Sequence, residues 1–217
     1  MQIKILDETS LVEAHGWIAR VRPPTQPWNN RVVLLLHGWT GDENIMWIFA
    51  RKLPANCWML APRGPLNSPD GGYAWGIPED GKRPDISRFL ANADGLMQRM
   101  PDWVPDFSSV TRLDIIGFSQ GAAMTYAMCL NASPVKVAPL AGYLPPGMSD
   151  LIKDRDFSGL NMYISHNTDD DIVPVDESRK AVDLFSSRGA IVKYDEKTGG
   201  HKLSAAGFNG LNNFLKD

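Results

Sequence analysis

Apolar residues along the chain gather in short blocks between breaks rich in Gly, Pro and Asp, and the blocks show two spacings. Arg31-Val-Val-Leu-Leu-Leu36 is apolar without alternation after its first residue, as expected of a strand covered on both faces in a mostly parallel sheet. Cys57–Ala61 (closed by Pro62), Leu113–Ile116, Val135–Leu140, Leu160–Ser165 and Ala190–Tyr194 are runs of similar length and predict further strands. Helical spacing appears over Ile86–Met100, where Phe89, Leu90, Ala93, Leu96, Met97 and Met100 form a stripe that reads as core. Ala122–Leu130 is rich in good helix formers, Val175–Ser187 ends at an Arg188-Gly189 stop, and Ala205–Leu215 forms a last helix. A helix is also expected over Ile45–Leu53, and a short one within the turn-rich Pro101–Val110. Near the N-terminus, residues 2–6 alternate weakly and predict an edge strand, paired as a hairpin with His15–Val21.

Two stretches lack a periodic signal. Residues 142–156 are loop-like. Residues 62–84 form a loop too long to be a mere connection in a compact domain, and Tyr73 and Trp75 within it argue against disorder. It is expected to fold over a site, with Tyr73 and Trp75 as candidate pocket residues; Trp75 serves either as a pocket wall or as a pin to the core. Strands and helices otherwise alternate, without repeats or linkers. The pattern predicts one α/β domain over residues 1–217, with a mostly parallel central sheet and helices on both faces.

Composition narrows the partners. The chain has 217 residues, 43 % apolar and 22 % charged, with a net charge of −3. That charge is too mild to imply nucleic acid or an anionic membrane, and no apolar run approaches membrane-spanning length. Cys57 and Cys129 lie in apolar stretches and read as buried free thiols, which suits a reducing compartment. The first residues lack a basic stretch followed by an apolar one, so no signal peptide is expected. Together these features point to a cytoplasmic protein; they carry no signal for an oligomeric state.

The chemistry centres on Gly117-Phe-Ser119-Gln-Gly121, which stands between a predicted strand and a predicted helix. In that setting the pattern places a serine on a sharp turn at a helix N-terminus. A serine hydroxyl is a weak nucleophile and needs an adjacent base. Of four histidines, His15 reads as a surface residue and His37 and His166 as hydrogen-bonded turn residues. The order Ser, acid, His expected for such an elbow selects Asp169–Asp171 followed by His201. His201 would take the Ser119 proton, an aspartate would orient the imidazole, and the N–H groups of Gln120 and Trp39 would hold the oxyanion. The aspartates could instead form half of a calcium site, but no second acidic cluster has the required spacing, so no metal is expected.

Several further pieces carry a resemblance: Leu36-His-Gly38 with Gly41-Asp42, Ala61-Pro-Arg-Gly-Pro65, Gly71-Gly-Tyr-Ala-Trp75, Gly117–Gly121, Asp170 with Val173-Pro174, and Gly200-His201. Together, over about four fifths of the chain, they resemble the α/β-hydrolase superfamily, specifically the phospholipase/carboxylesterase group that includes acyl-protein thioesterases. The resemblance implies the α/β-hydrolase fold and hydrolysis of esters or thioesters through an acyl-enzyme, without metal or organic cofactor. It selects Asp170 over Asp171 as the acid, four residues before the proline of Val-Pro. Two departures stand out: His166-Asn167 where the motif usually reads His-Gly, and Trp39-Thr40 before Gly41 where some relatives are a residue shorter.

The length leaves little room for a lid domain, so the expectation is a serine esterase acting on small to medium acyl esters in an open site. A thioesterase or lysophospholipase with the same Ser119, His201 and Asp170 is the near alternative. A hydrolase-like binding module without catalysis, which would predict a broken residue set, and a metal-dependent hydrolase built on Asp169–Asp171 and His166 are the distant ones.

Overall fold

The computed structural model describes residues 9–50 and 53–216. Its first strands, β1 (Ser10–Ala14) and β2 (Trp17–Arg22), form an antiparallel hairpin around His15-Gly16, both at positive φ. The predicted strand over residues 2–6 lies outside the described residues; within them the hairpin partner of β2 is residues 10–14, whose alternation is masked by exposure of most of the strand. There follow β3 (Arg31–Leu36), β4 (Trp58–Pro62), the short β5 (Leu66–Asn67) and β6 (Tyr73–Ala74), and α1 (Ile86–Trp103). Then come β7 (Arg112–Phe118), α2 (Gln120–Asn131), β8 (Lys136–Leu140), α3 (Met148–Ile152), β9 (Asn161–Asn167), α4 (Asp176–Ser186), β10 (Ile191–Lys197) and α5 (Ala205–Leu215).

Eight of the strands form one sheet in the order β1-β2-β4-β3-β7-β8-β9-β10. Only the β1–β2 and β2–β4 pairs are antiparallel; the others run parallel. β3 shows why its sequence is unbroken in apolar character, for all six residues are buried. Val32, Leu34 and Leu36 pack with α1, α2 and α4 on one face. Val33 and Leu35 pack with the 46–53 segment and α5 on the other. At about 25 cal/mol per Å² of apolar surface removed from water, such two-sided burial is the dominant favourable term in folding.

Three stretches depart from the sequence reading. The segment expected as a helix over 45–53 carries a 3-10 turn at Ile45–Ile48, and none of its described residues is α-helical. Its buried residues, Met46, Trp47, Phe49, Ala50 and Leu53, recur at spacings of three, which a helix of 3.0 residues per turn places on one side. Residues 62–84 carry the small β5–β6 hairpin, and the loop-like 142–156 stretch contains α3. No separate lid domain is present among the described residues, and no helix among them is long and apolar enough to cross a membrane. Cys57 and Cys129 are buried and unpaired with each other; burial raises both thiols, Cys129 to about 12.

The parallel register decides where the chemistry can gather. Leu36 of β3 pairs with Gly117 of β7, and His166 of β9 pairs with Glu196 of β10. The carboxyl ends of these strands therefore lie along one edge of the sheet, the edge at which ligands bind in open α/β sheets. Their following loops carry His37–Asp42, Ser119, Asp170 and His201.

Candidate active site

β7 hands the chain to α2 with no intervening loop. Ser119 sits between them at φ 55° and ψ −114°, a conformation that costs a non-glycine residue of the order of 1–3 kcal/mol and persists only where the surroundings enforce it. Gly117 and Gly121 are those surroundings. A Cβ on Gly117 would stand 2.1 Å from the Gly121 carbonyl oxygen, and one on Gly121 would stand 2.1 Å from that of Leu36. Strand and helix backbones meet there without room for any side chain.

The Ser119 hydroxyl oxygen lies 2.9 Å from His201 Nε2, and His201 Nδ1 lies 2.7 Å from Asp170 Oδ2. The other carboxylate oxygen, Oδ1, accepts the N–H groups of Ile172 at 3.0 Å and Val173 at 2.9 Å. Burial pushes the Asp170 carboxyl up, but the Val173 N–H, the imidazole and the Ile172 N–H outweigh it and hold the group below its ordinary range. An ionised Asp170 can accept only, so Nδ1 carries the imidazole proton and Nε2 is left to accept from the serine O–H. Deprotonating that hydroxyl is what such an arrangement can do.

Beside Ser119 opens a cavity of about 620 Å³. Trp39, Met46, Phe49, Phe118, Leu203 and Phe208 make it largely apolar, and Ile45, Ile48 and Ile172 stand partly exposed along it. The loop after β3 packs directly against Ser119: a Cβ on Gly38 would stand 3.2 Å from that of Ser119. The backbone N–H groups of Trp39 in this loop and of Gln120 at the start of α2 have no acceptor among the described residues. The Gln120 donor, at a helix N-terminus, favours a developing negative charge.

The family model for phospholipase/carboxylesterase proteins matches residues 18–217. The chain belongs to the phospholipase/carboxylesterase family. No curated protein sequence matches it. Among solved structures it is similar to a carboxylesterase from Mesorhizobium loti, at 19 % identity and TM-score 0.79 over 96 % of this chain and 99 % of the other. It is also similar to the esterase PE8, at 22 % identity and TM-score 0.74 over 90 % and 96 %, and to acyl-protein thioesterase 2 of Zea mays, at 19 % identity and TM-score 0.72 over 91 % and 96 %. At these identities the likeness to solved structures shows the fold: the α/β-hydrolase fold.

Within this family member the remaining polar residues of the region fall into distinct roles. The three aspartates point three ways. Asp169 accepts from the N–H groups of Gly200 and Gly199, which lower its carboxyl; Asp170 faces His201, and Asp171 is exposed. Among the described residues no group of three or more His, Cys, Asp and Glu is placed to hold a metal ion. His37 is buried, with Nδ1 donating to the Gly38 carbonyl at 2.7 Å and Nε2 accepting the Gly64 N–H at 2.8 Å. Burial lowers its pKa, as it does that of His166. His166 Nδ1 meets the Ser178 hydroxyl, and its Nε2 faces the Val173 carbonyl at 2.9 Å and Asp170 Oδ2 at 3.1 Å. It thus touches the same carboxylate oxygen as His201, a contact to which nothing in the sequence pointed.

Trp75 and Tyr73, the expected pocket residues, do not line the cavity beside Ser119. Trp75 is fully buried, and its indole N–H donates to the His37 carbonyl at 2.8 Å. Its backbone N–H donates to Gln120 Oε1, while Gln120 Nε2 donates to the Gly76 carbonyl at 2.7 Å. These bonds satisfy buried backbone that the long loop would otherwise strand, so Trp75 is a pin and not a wall. The Tyr73 ring lies under the Arg63 guanidinium, 4.4 Å from its centroid, and Arg63 in turn grips the buried Glu43. The loop does reach the cavity edge through Asp70, which accepts from the Trp39 indole at 2.9 Å.

Proposed function

We propose that this family member is a serine hydrolase of carboxylic esters, and that the hydrogen-bonded series Ser119–His201–Asp170 at the wall of the apolar cavity carries the reaction. In the first half, His201 Nε2 takes the Ser119 proton as Oγ attacks the acyl carbonyl carbon. The resulting oxyanion lies against the N–H groups of Trp39 and Gln120. On collapse, the bond to the leaving alkoxide breaks and Nε2 delivers the proton to it, leaving the acyl group on Ser119. In the second half, His201 takes a proton from water, hydroxide adds to the acyl carbon, and the carboxylic acid departs as the proton returns to Oγ. Asp170 holds the imidazole tautomer and balances its charge in both halves. Neither half calls on a metal or an organic cofactor.

The observation that carries this reading is geometric. Donor and acceptor distances of 2.9 and 2.7 Å join three groups, with Ser119 held in a strained turn at the head of α2. The cavity supports an acyl group as the part bound, since its walls are apolar and each buried methylene contributes about 0.8 kcal/mol. A thioester fits the same steps, and similarity to an acyl-protein thioesterase keeps it as the near alternative. A fatty acyl chain on a lysophospholipid would occupy the same walls.

The test is hydrolysis of nitrophenyl esters from acetate to decanoate, beside a matched thioester series, by wild type and Ser119→Ala, with and without chelator. The expected result is turnover that ignores chelator, disappears in the variant and peaks at an intermediate chain length. Turnover that survives Ser119→Ala would refute the mechanism.

A further inference from the structure

The loop that carries His201 has little conformational preference of its own. Gly199 and Gly200 precede the histidine at φ 150° and 68°, and glycine is the residue that loses most conformational freedom on ordering. Phe118 touches one side of the imidazole, with ring centroids 5.1 Å apart, yet the ring remains half-buried. Something outside residues 199–202 must therefore hold their backbone.

The end of β9 does so. Asn167 is only 2 % exposed, and its side-chain Nδ2 donates to the Gly200 carbonyl at 2.8 Å and the Lys202 carbonyl at 2.7 Å. These carbonyls flank His201 in the chain. Thr168 N–H continues the β9–β10 ladder to the Lys197 carbonyl at 2.7 Å. Asp169 Oδ1 then accepts the N–H groups of Gly199 at 2.7 Å and Gly200 at 3.0 Å. One side chain thus supplies donors to the histidine loop, and another, two residues on, supplies an acceptor. Asp170, next in line, accepts the hydrogen bond from the imidazole Nδ1–H.

We propose that Asn167 and Asp169 are positioning residues for His201, acting on the imidazole through the backbone of residues 199–202. The inference rests on the proposed role of His201 as base. Asn167 supplies the half of the clamp that holds carbonyls, and Asp169 the half that holds N–H groups. By gripping acid and base from one loop, the clamp fixes both against a common support.

The experiment compares kcat and KM for a nitrophenyl ester across wild type, Ser119→Ala, Asn167→Ala, Asp169→Ala and Asp169→Asn, with a thermal melt of each. Misplacement of a reacting group by about 1 Å can cost on the order of a hundredfold. Asn167→Ala is accordingly expected to lose roughly tenfold to a hundredfold in kcat with KM within about threefold. Asp169→Ala should lose several-fold, whereas Asp169→Asn, whose amide oxygen still accepts both N–H groups, should stay within about twofold of wild type. A role in packing alone would not separate the last two. If Asn167→Ala does not fold, the Asp169 pair decides. Asn167→Ala within twofold of wild type, or equal losses in the two Asp169 variants, overturns the inference while a dead Ser119→Ala leaves the hydrolytic reading standing. An active Ser119→Ala overturns both.

Discussion

Asp170→Asn changes one atom and should nearly abolish turnover. Donors converge on both carboxylate oxygens: Ile172 and Val173 N–H on Oδ1, and His201 Nδ1–H on Oδ2, with His166 Nε2 3.1 Å from the same Oδ2. An amide has only one accepting oxygen. If that oxygen stays with the two backbone N–H groups, the NH₂ faces His201 and the imidazole must turn its bare nitrogen toward it. The proton then sits on Nε2, 2.9 Å from Ser119 Oγ, where it blocks acceptance of the serine proton. In a serine hydrolase of another fold the equivalent exchange costs about 10⁴ in kcat, which at 1.36 kcal/mol per decade is about 5 kcal/mol of transition-state stabilisation. The neighbouring Asp171 is exposed, so Asp171→Asn should stay within about twofold of wild type. The assay is initial-rate hydrolysis of a nitrophenyl ester, with the rate of fluorophosphonate labelling as a substrate-independent readout. Asp170→Asn retaining more than about a tenth of wild-type kcat, or Asp171→Asn falling below about a tenth, would mean that Asp170 does not set the His201 tautomer.

Three further outcomes follow from other parts of the molecule. Gly121→Ala would force a Cβ to 2.1 Å from the Leu36 carbonyl, where only backbone can move aside; a loss of at least about 3 kcal/mol is expected from urea melts, and a loss below 1 kcal/mol would contradict the packing described. Leu203→Trp places an indole in the cavity; lost burial of about two methylenes, roughly 1.6 kcal/mol, should lower the octanoate-to-butyrate rate ratio by about tenfold, and an unchanged ratio would move the acyl group elsewhere. Arg179 and the Tyr194 hydroxyl hold Glu196 down at about 2 against an ordinary 4.5. A depressed carboxylate contributes stability fully above its unfolded pKa and loses it as pH falls through the folded one. The melting-temperature gap between wild type and Glu196→Gln should thus be present above about pH 5, amount to no more than a few degrees for so exposed a pair, and close toward pH 2; a gap that grows in acid would reverse the sign.

Legibility in the sequence followed burial. β3 and β7 are buried along almost their whole length, so an unbroken apolar run marks them. The first hairpin strand, Ser10–Ala14, is mostly exposed and left no such mark. Met148–Ile152 is a single short turn of helix between loops, too brief for a 3.6-residue period to register. Residues 45–53 repeat every three residues, close enough to helical spacing to pass for it. In the site, Ser119, Asp170 and His201 were nameable because each follows a strand and stands in a motif. The cavity was not, since its walls come from residues 38–49, 118–119, 172 and 201–208, brought together only by the sheet order. Trp75 could be placed in the loop but not assigned a side, because an indole pinned to a buried carbonyl and one lining a pocket look alike in sequence. The Asn167 clamp leaves no mark in the sequence, because its partner carbonyls lie 33 and 35 residues away.

Whether Ser119 is the nucleophile is decided by peptide mass spectrometry after fluorophosphonate treatment. A single adduct is expected on the peptide holding Gly117-Phe-Ser119-Gln-Gly121, formed rapidly in wild type and absent from Ser119→Ala. An adduct on another residue, or equal labelling of native and denatured protein, would contradict it.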